Sequence, residues 1–321
     1  MDELVELWEK PVAEEIYMLA GWYQWADAGN VSSGLTQYLI QHTNARQIGE
    51  IESESFYLFQ VPGLHHLIRP QINLQDGYRQ TLSSNTNEVF YTDDTGNNKK
   101  GLVIFLGEEP HLHVDRYCEA VLDIAEALRI KRVIAVGGVY GPAPYDKERE
   151  ISCVYSLPHL KEELTRYAVK FSDYEGGATI GAYLMDRAER RDMEAITFYA
   201  FVPAYDFAQV SNLVQTMRIE NDFKAWYDLM RRFNHMTHLD IDLSDLERHS
   251  YDLIASMDAQ VDELNVEIPD LEIDSYLREL AEDFDEQRFV PLSDVWEKGL
   301  QDLFNHLDES ESDARDQEDE M

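Results

Sequence analysis

The first two thirds of the chain alternate between apolar runs and amphipathic stripes. In residues 114–129, apolar side chains recur every three or four positions, as on the buried face of a helix. Helices that alternate with buried strands predict an α/β fold with a mostly parallel sheet and helices on both of its faces. The runs that are apolar enough for buried strands cover residues 16–20, 101–107, 133–138 and 195–202.

Shorter segments complete this alternation. Residues 88–92 resemble a strand and are followed by the turn-rich residues 93–98, so together with the next apolar run they predict a hairpin. Further strand-like runs cover residues 48–51, 56–59 and 68–74, and further helical stripes cover residues 31–39, 157–171 and 179–191.

The pattern changes near residue 215, where strand-like runs end and helical stripes continue. Residues 216–321 carry 31 acidic and 9 basic residues, a net charge of −22, whereas the rest of the chain carries 32 and 18, a net charge of −14. We therefore predict an α/β domain over residues 1–214 and an acidic helical domain over residues 215–306. Residues 307–321 hold eight carboxylates and one arginine, a composition typical of a disordered tail.

The net charge of −36 over 321 residues narrows the range of partners. It repels nucleic acid phosphates and anionic membranes, so neither is expected to bind. No apolar run approaches the ~18 residues that span a membrane, and the N-terminal residues are acidic where a secretory signal would be basic. Cys118 and Cys153 lack metal-site spacing and are predicted to be reduced structural thiols. We expect a cytoplasmic protein.

Loops marked by glycine or proline follow the apolar runs or precede helices. In a parallel sheet, the loops after strands meet at the carboxyl edge, where α/β proteins usually bind ligands. The first loop, residues 21–29, contains Trp22, Trp25 and Asp27 but no lysine or arginine. It therefore favours a structural corner or a protein-contact surface over a phosphate site. The other such loops are residues 107–110, 137–144 and 174–177.

Four carboxylates, those of Asp27, Glu108, Glu109 and Glu175, are expected near one another at this edge. Such a cluster can divide into an acid and a base or bind a hard cation. The favoured interpretation is that Asp27, Glu109 and Glu175 cap the helices that follow them, because a negative charge is stabilised at a helix N-terminus.

A metal site has weaker support. His111 and His113 lie beside Glu108, Glu109 and Asp115, and these residue types suit zinc or iron. Histidines in a surface loop are the favoured interpretation, and we predict no bound metal.

Nucleophilic or nucleotide chemistry is not indicated either. The chain has no Gly-x-Ser-x-Gly elbow, and residues 137–141 match only half of a nucleotide-binding fingerprint. Arg69, Arg79 and Arg149 do not cluster in glycine loops and are interpreted as surface charge. We predict no catalytic residue and no cofactor.

Short motifs follow one another in a recognisable order along residues 12–210. In this order they resemble the proteasome assembly chaperone 2 family in its archaeal and bacterial form. We predict that they are structural or protein-interaction residues of the loops. They are Gly21, Trp22, Trp25, Asp27, Gly29, Gly107, Glu108, Pro110, Gly137, Pro144, Tyr174, Glu175 and Gly176.

The resemblance implies a nucleoside-phosphorylase-like three-layer α/β/α domain that binds other proteins and has no established cofactor. It also implies a homo-oligomer, with a trimer favoured. Actinobacterial-type members carry a helical C-terminal extension, which matches the change near residue 215. Archaeal relatives that dock onto proteasomes end in a hydrophobic-Tyr-x tail, whereas residues 317–321 contain no tyrosine. Docking by that route is therefore not expected.

The favoured function is that of a non-enzymatic assembly chaperone or scaffold, in which Trp22, Tyr23 and Trp25 are of the type that anchors interfaces. Packing in the core is the other interpretation of these three aromatic residues. The alternative is a small-molecule hydrolase or phosphorylase-like enzyme that uses carboxylates at the carboxyl edge, an idea that depends on fold analogy. A third hypothesis, a cation-binding or halophilic structural protein, depends on charge alone.

Overall fold

A ten-stranded sheet lies at the centre of the described structure, with a separate two-stranded hairpin beside it. The computed structural model describes residues 4–23, 25–60, 63, 69–97, 99–206, 217–269 and 272–290. The strands are β1 (Val5–Leu7), β2 (Glu15–Tyr23), β3 (Arg46–Ile51), β4 (Ile72–Gln75), β5 (Tyr78–Leu82), β6 (Glu88–Thr92), β7 (Lys100–Glu108), β8 (Ile130–Gly141), β9 (Ile151–Tyr155), β10 (Lys170–Phe171), β11 (Ala195–Tyr205) and β12 (Met217–Arg218).

The main sheet has the order β1-β3-β6-β7-β2-β8-β11-β9-β10, with β12 paired to β11. Its four central strands, β7, β2, β8 and β11, are parallel to one another. They are the four apolar runs of the sequence, and their carboxyl ends form one edge. Strands β3 and β6 extend the sheet in antiparallel fashion on one side, and β9 pairs antiparallel with β11 on the other.

Helices cover both faces of this sheet, as the alternation of apolar segments predicts. On one face, Ile16, Met18, Ala20 and Trp22 of β2 join the core formed with α2 and α4. The helices are α1 (Ser33–His42), α2 (Val114–Ala127), α3 (Leu160–Leu164), α4 (Ile180–Arg190), α5 (Phe223–Thr237), α6 (Ser244–Glu267) and α7 (Ile273–Glu282).

Helix α1 lies against the opposite face of β2, and Gly21 permits the contact. A Cβ atom at position 21 would lie 2.2 Å from the carbonyl oxygen of Ser32 and 2.2 Å from Oγ1 of Thr36. Because side chains alternate along a strand, Gly21 faces away from the Trp22 side. Any larger residue would push α1 off the sheet, so the predicted three-layer α/β/α arrangement depends on this glycine.

The structure confirms the α/β fold class, and it differs from the sequence predictions at the periphery of the sheet. Residues 56–59, predicted as a strand, form a turn and irregular backbone. The helix predicted over residues 157–171 is shorter: it comprises α3 and a 3₁₀ turn at Thr165–Tyr167, and the chain then enters β10. Strand β9, with the sequence Ile-Ser-Cys-Val-Tyr, is short and mostly apolar, and the sequence analysis did not predict it.

The C-terminal part is helical after β12, as predicted, and α5 to α7 belong to the same compact unit as the sheet, which extends to residue 287. The predicted boundary near residue 214 falls within residues 207–216, which lie outside the described residues. The end of the predicted helical domain and the predicted tail, within residues 291–321, lie outside them as well. The division into residues 1–214 and 215–306 remains a prediction. Of the helices that the structure describes, none is both long and apolar enough to cross a membrane.

Candidate functional site at the carboxyl edge

Asp27 fixes the turn between β2 and α1. Its Oδ1 accepts hydrogen bonds from the backbone N–H groups of Ser32 and Ser33, at 2.8 and 2.9 Å, and its Oδ2 accepts one from the Ser33 hydroxyl. These bonds satisfy backbone donors that no helical carbonyl can reach. The predicted capping role of Asp27 is therefore confirmed.

Glu109 lies at the start of a different helix from the one predicted. The backbone N–H of Ile180, the first residue of α4, lowers the pKa of its carboxyl, whereas α2 has no side-chain cap, so the predicted cap on α2 was wrong. Helix α2 instead begins after His113, whose φ of 55° is left-handed. The central parallel strands explain the difference, because they bring the end of β7 close to the start of α4.

Asp27 and Glu109 influence each other electrostatically. Burial raises the pKa of the Asp27 carboxyl, and the hydrogen bonds from Ser33 and Ser32 oppose this rise. Burial also raises the pKa of the Glu109 carboxyl. The backbone N–H of Ile180 lowers this pKa, whereas the nearby negative charge of Asp27 raises it further. These two members of the predicted carboxylate cluster do lie close together.

The other two carboxylates have different surroundings. Glu108 ends β7, where its backbone N–H donates to Oδ1 of Asn87 at 3.3 Å and its carbonyl accepts from the Tyr57 hydroxyl at 2.9 Å. Glu175 lies on an exposed loop, and Thr179 is the cap of α4, with Oγ1 accepting from Ala182 N–H at 3.1 Å. The capping role predicted for Glu175 was wrong.

The space beside the carboxylate pair is small. The cavity that touches Glu109 measures about 10 Å³ and is lined by residues including Trp22, Gly137 and Tyr199. That is about the volume needed by a single water molecule, whereas small-molecule sites occupy about 300–1,000 Å³. The Asp27 carboxylate therefore holds backbone in place at this corner, and this cavity is too small for a substrate.

The two tryptophans of the first loop have opposite environments. Trp22 is buried, and its Nε1 donates a 3.0 Å hydrogen bond to the Tyr117 hydroxyl. The Tyr117 hydroxyl in turn donates a 2.9 Å hydrogen bond to Oδ1 of Asn87. Trp22 is thus part of the core. Trp25 is 73% exposed.

A groove of about 310 Å³ lies beside this loop, along α1. We call it the α1 groove, and none of the residues that line it is charged. Its aromatic members, Tyr23, Tyr38 and Trp226, come from β2, α1 and α5, and two of its four amide side chains come from α1. Tyr23 is two residues from Trp25. The lining comprises Tyr23, Asn30, Ser33, Gly34, Gln37, Tyr38, Gln41, Asn221 and Trp226.

The remaining motif residues lie at strand ends and turns. Gly107 lies near the end of β7 and Pro110 just beyond it, whereas Gly137 is inside β8, which continues to Gly141, so the loop predicted from residue 137 starts later. Pro144 is buried, and its carbonyl accepts a 3.4 Å hydrogen bond from Nη1 of Arg149. Tyr174 and Gly176 lie with Glu175 on the exposed loop before α4.

Arg149 was wrongly interpreted as surface charge. Its side chain is fully buried, with Nε 2.8 Å from Oδ2 of Asp222 and Nη2 3.1 Å from Oδ1. Asp222 also caps α5 by accepting from the backbone N–H of Ala225 at 3.0 Å. This pair joins the segment after β8 to the helical C-terminal part. A single sequence carries no signal for it, because both residue types are normally exposed.

The His111 imidazole contacts the backbone, whereas His113 is exposed. Nδ1 of His111 accepts from the Leu58 N–H at 3.1 Å. Within the described residues, no group of three or more His, Cys, Asp or Glu side chains is arranged to hold a metal ion.

A comparison with models of protein families identifies the family of this chain. The model described as "PAC2 family" matches residues 22–263, which is well over half of the chain. The chain belongs to the PAC2 family. The resemblance based on loop motifs is therefore confirmed, and the PAC2 match extends beyond those motifs into α6.

Solved structures related to this PAC2 family protein share its fold. A PAC2 family protein from Streptomyces avermitilis aligns with a TM-score of 0.65 and 23% identity, covering 79% of this chain and 99% of that one. A proteasome-assembly chaperone homologue from Mycobacterium tuberculosis gives 0.64 and 21%, with 76% and 94% covered. An archaeal proteasome activator from Pyrococcus furiosus gives 0.54 and 19%, with 79% and 97% covered. A search of curated proteins gives no significant match.

Proposed function

We propose that this PAC2 family protein is a non-enzymatic protein-binding protein that acts as an assembly chaperone or scaffold. Its contact surface comprises exposed Trp25 and the neighbouring α1 groove. One observation carries the proposal: the Asp27 carboxylate accepts backbone hydrogen bonds, and Glu109 lies at the start of α4 beside a cavity of about 10 Å³, whereas the neighbouring aromatic groove is open and about 310 Å³ in volume.

The chemistry of the α1 groove suits a protein partner. Interface cores are depleted of charged residues and enriched in tyrosine and tryptophan. The lining of the groove is uncharged although the chain carries a net charge of −36, and it offers the half-buried side chains of Tyr23 and Tyr38, whereas Trp226 itself is buried. Side-chain amides such as those of Gln37 and Gln41 can pair with the backbone of a docked segment.

Family membership supports the same proposal. One structural relative is described as a proteasome-assembly chaperone homologue and another as an archaeal proteasome activator. For this chain we propose protein partners in the cytoplasm and self-association, with a trimer favoured. We propose no nucleic acid, membrane or cofactor.

Affinity capture with the full chain tests the contact surface. Wild type, Trp25→Ala and Gln37→Arg serve as baits, and Tyr251→Ala is the matched control because Tyr251 is 64% exposed on α6. Proteins captured by wild type are then purified and titrated. We expect both surface variants to weaken binding at least about tenfold, as loss of an interface anchor does. Equal affinities for all four baits would refute the contact surface.

The alternative enzyme function is favoured by one observation, the neighbouring carboxyls of Asp27 and Glu109 with raised pKa values at the carboxyl edge. The small cavity opposes it. A panel of ester, amide and nucleoside substrates distinguishes the two functions: turnover that Glu109→Gln abolishes while the fold stays intact would support the enzyme.

A further inference from the structure

The α1 groove has an uncharged lining but carboxylates at both of its ends. One wall of the groove is formed by Ser33, Gly34, Gln37, Tyr38 and Gln41, which lie along one face of α1. At ~1.5 Å per residue, these positions form a wall about 12 Å long. Because an extended chain rises ~3.3 Å per residue, the wall can accommodate about four residues of an extended partner segment.

Asp27 places a carboxylate at the first end of the groove. It accepts a 2.9 Å hydrogen bond from the backbone N–H of Ser33, which belongs to the lining. Burial raises the pKa of the neighbouring Tyr23 hydroxyl, and the negative charges of Glu108, Asp27 and Glu88 raise it further. The partial positive charge at the N-terminus of α1, about half a unit, offsets only part of these charges. This end of the groove is therefore negative.

Asp242 and Asp245 place two more carboxylates at the other end. The Tyr38 hydroxyl donates to Oδ2 of Asp245 at 3.3 Å and lies 3.2 Å from Nδ1 of His42, the last residue of α1. Burial raises the pKa of Tyr38 to about 12; the charges of Asp245 and Asp242 add to this rise, and the charge of Arg248 opposes it. Arg248 pairs with Asp245 at 2.5 Å. Asp242 is exposed and adds a further negative charge at this end.

The lining between the two ends suits uncharged side chains and peptide groups. Nδ2 of Asn30 donates to Oδ1 of Asn221 at 2.9 Å, so these two amides bond to each other. Gln37 and Gln41 are exposed, and each amide can both donate to and accept from the backbone of an extended segment. The groove therefore combines a neutral centre with negative ends.

We propose that the α1 groove binds an extended segment of a partner protein that is basic at both of its ends. About four residues with uncharged side chains lie along the lining. A lysine or arginine on one side of them lies towards Asp27 and Glu108, and another on the other side lies towards Asp242 and Asp245. Charge complementarity of this kind selects a partner and accelerates its association, whereas an acidic segment would be repelled from both ends. The inference rests on the proposed function because it names the partner of the same groove.

Selection from a library of random peptides displayed on phage tests the basic partner. The peptides are selected on the full chain and counter-selected on Gln37→Trp. Because Gln37 is exposed, the tryptophan obstructs the groove without adding charge, so the counter-selection does not itself favour basic peptides. We expect the enriched peptides to carry lysine or arginine at two positions separated by about four residues.

Titration of the enriched peptides measures the contribution of the carboxylates. Asp242→Asn/Asp245→Asn should raise the dissociation constant at least about tenfold, and added salt should reduce this difference because it screens exposed charges. Asparagine can still accept the 2.9 Å hydrogen bond that the Ser244 N–H donates to Oδ1 of Asp242. Asp262→Asn/Glu263→Gln is the matched control. It removes the same charge from exposed positions about 25 Å further along α6, and it should bind like wild type.

The outcomes separate this inference from the proposed function. Enriched peptides that bind wild type but not Gln37→Trp, and that lack lysine and arginine, would overturn the basic partner while leaving the groove as the contact surface. Equal affinities of wild type and Asp242→Asn/Asp245→Asn would have the same meaning. If no peptide distinguishes wild type from Gln37→Trp, the inference and the docking role of the groove are both refuted.

Discussion

The guanidinium of Arg149 and the carboxylate of Asp222 form a fully buried ion pair, with Nε 2.8 Å from Oδ2 and Nη2 3.1 Å from Oδ1. The remaining donor, Nη1, bonds to the backbone carbonyls of Tyr145 and Lys147 at 2.9 and 3.0 Å. Buried charges are tolerated when their hydrogen-bonding capacity is filled in this way. The pair connects the segment after β8 to the start of α5, so the sheet and the helical part are joined by electrostatics as well as by packing.

Replacing Arg149 by methionine should lower the free energy of unfolding by about 3–5 kcal/mol, because Asp222 would remain buried without its partner. Urea unfolding measures the change without adding salt. Arg166→Met, at an exposed position, should change stability by less than about 0.5 kcal/mol. A loss below about 1 kcal/mol for Arg149→Met would contradict the importance of the pair.

The Asp27 carboxyl gives stability a specific pH dependence. Burial raises its pKa in the folded protein above the ordinary value of 3.8. The folded state then holds a proton that the unfolded state has released, so this group's contribution to stability falls as pH rises from about 4 through the folded pKa. Asp27→Asn should flatten the pH profile of the urea midpoint over this window.

Glu175→Gln is the control for this pH dependence, because Glu175 is exposed. It should keep the wild-type profile. If Asp27→Asn also kept that profile, the Asp27 carboxyl would not titrate differently in the folded and unfolded states.

The sequence predicted those parts of the fold that depend on local composition. The central strands were recognisable because they are buried on both faces, which makes each run apolar throughout. The cap by Asp27 was recognisable because its partners, Ser32 and Ser33, are five and six residues away. Local patterns therefore predicted the sheet centre and one corner of the site.

The features that the sequence missed depend on partners far along the chain. Glu109 lies at the start of α4 instead of capping the helix that follows it, because the parallel order of the strands brings Ile180 close. Arg149 is buried because Asp222, 73 residues away, neutralises it. Neither pairing leaves a local pattern, and a single sequence shows only the residue types.

Both cysteine thiols should be unreactive in the folded protein. Cys118 and Cys153 are free and buried, and burial raises the pKa of each to about 12. Because the thiolate is the reactive form, a chromogenic disulfide reagent at pH 8 should label neither thiol in buffer and both in urea. Rapid labelling of either cysteine without denaturant would contradict their buried positions.

Gly29→Ala should destabilise the fold through both strain and a clash. Gly29 has a φ of +63°, and an added Cβ would lie 2.8 Å from the Asp222 Cβ and 3.0 Å from Cγ2 of Val202. Left-handed backbone costs an alanine about 1–2 kcal/mol, and overpacking adds about 1–3 kcal/mol, so a loss of about 2–5 kcal/mol is expected. Gly177→Ala is the matched control, since nothing lies within 4 Å of its added Cβ. Equal urea midpoints for the two variants would mean that the turn before α1 adapts to a side chain. In that case the packing of this turn against β11 and α5 would not require glycine.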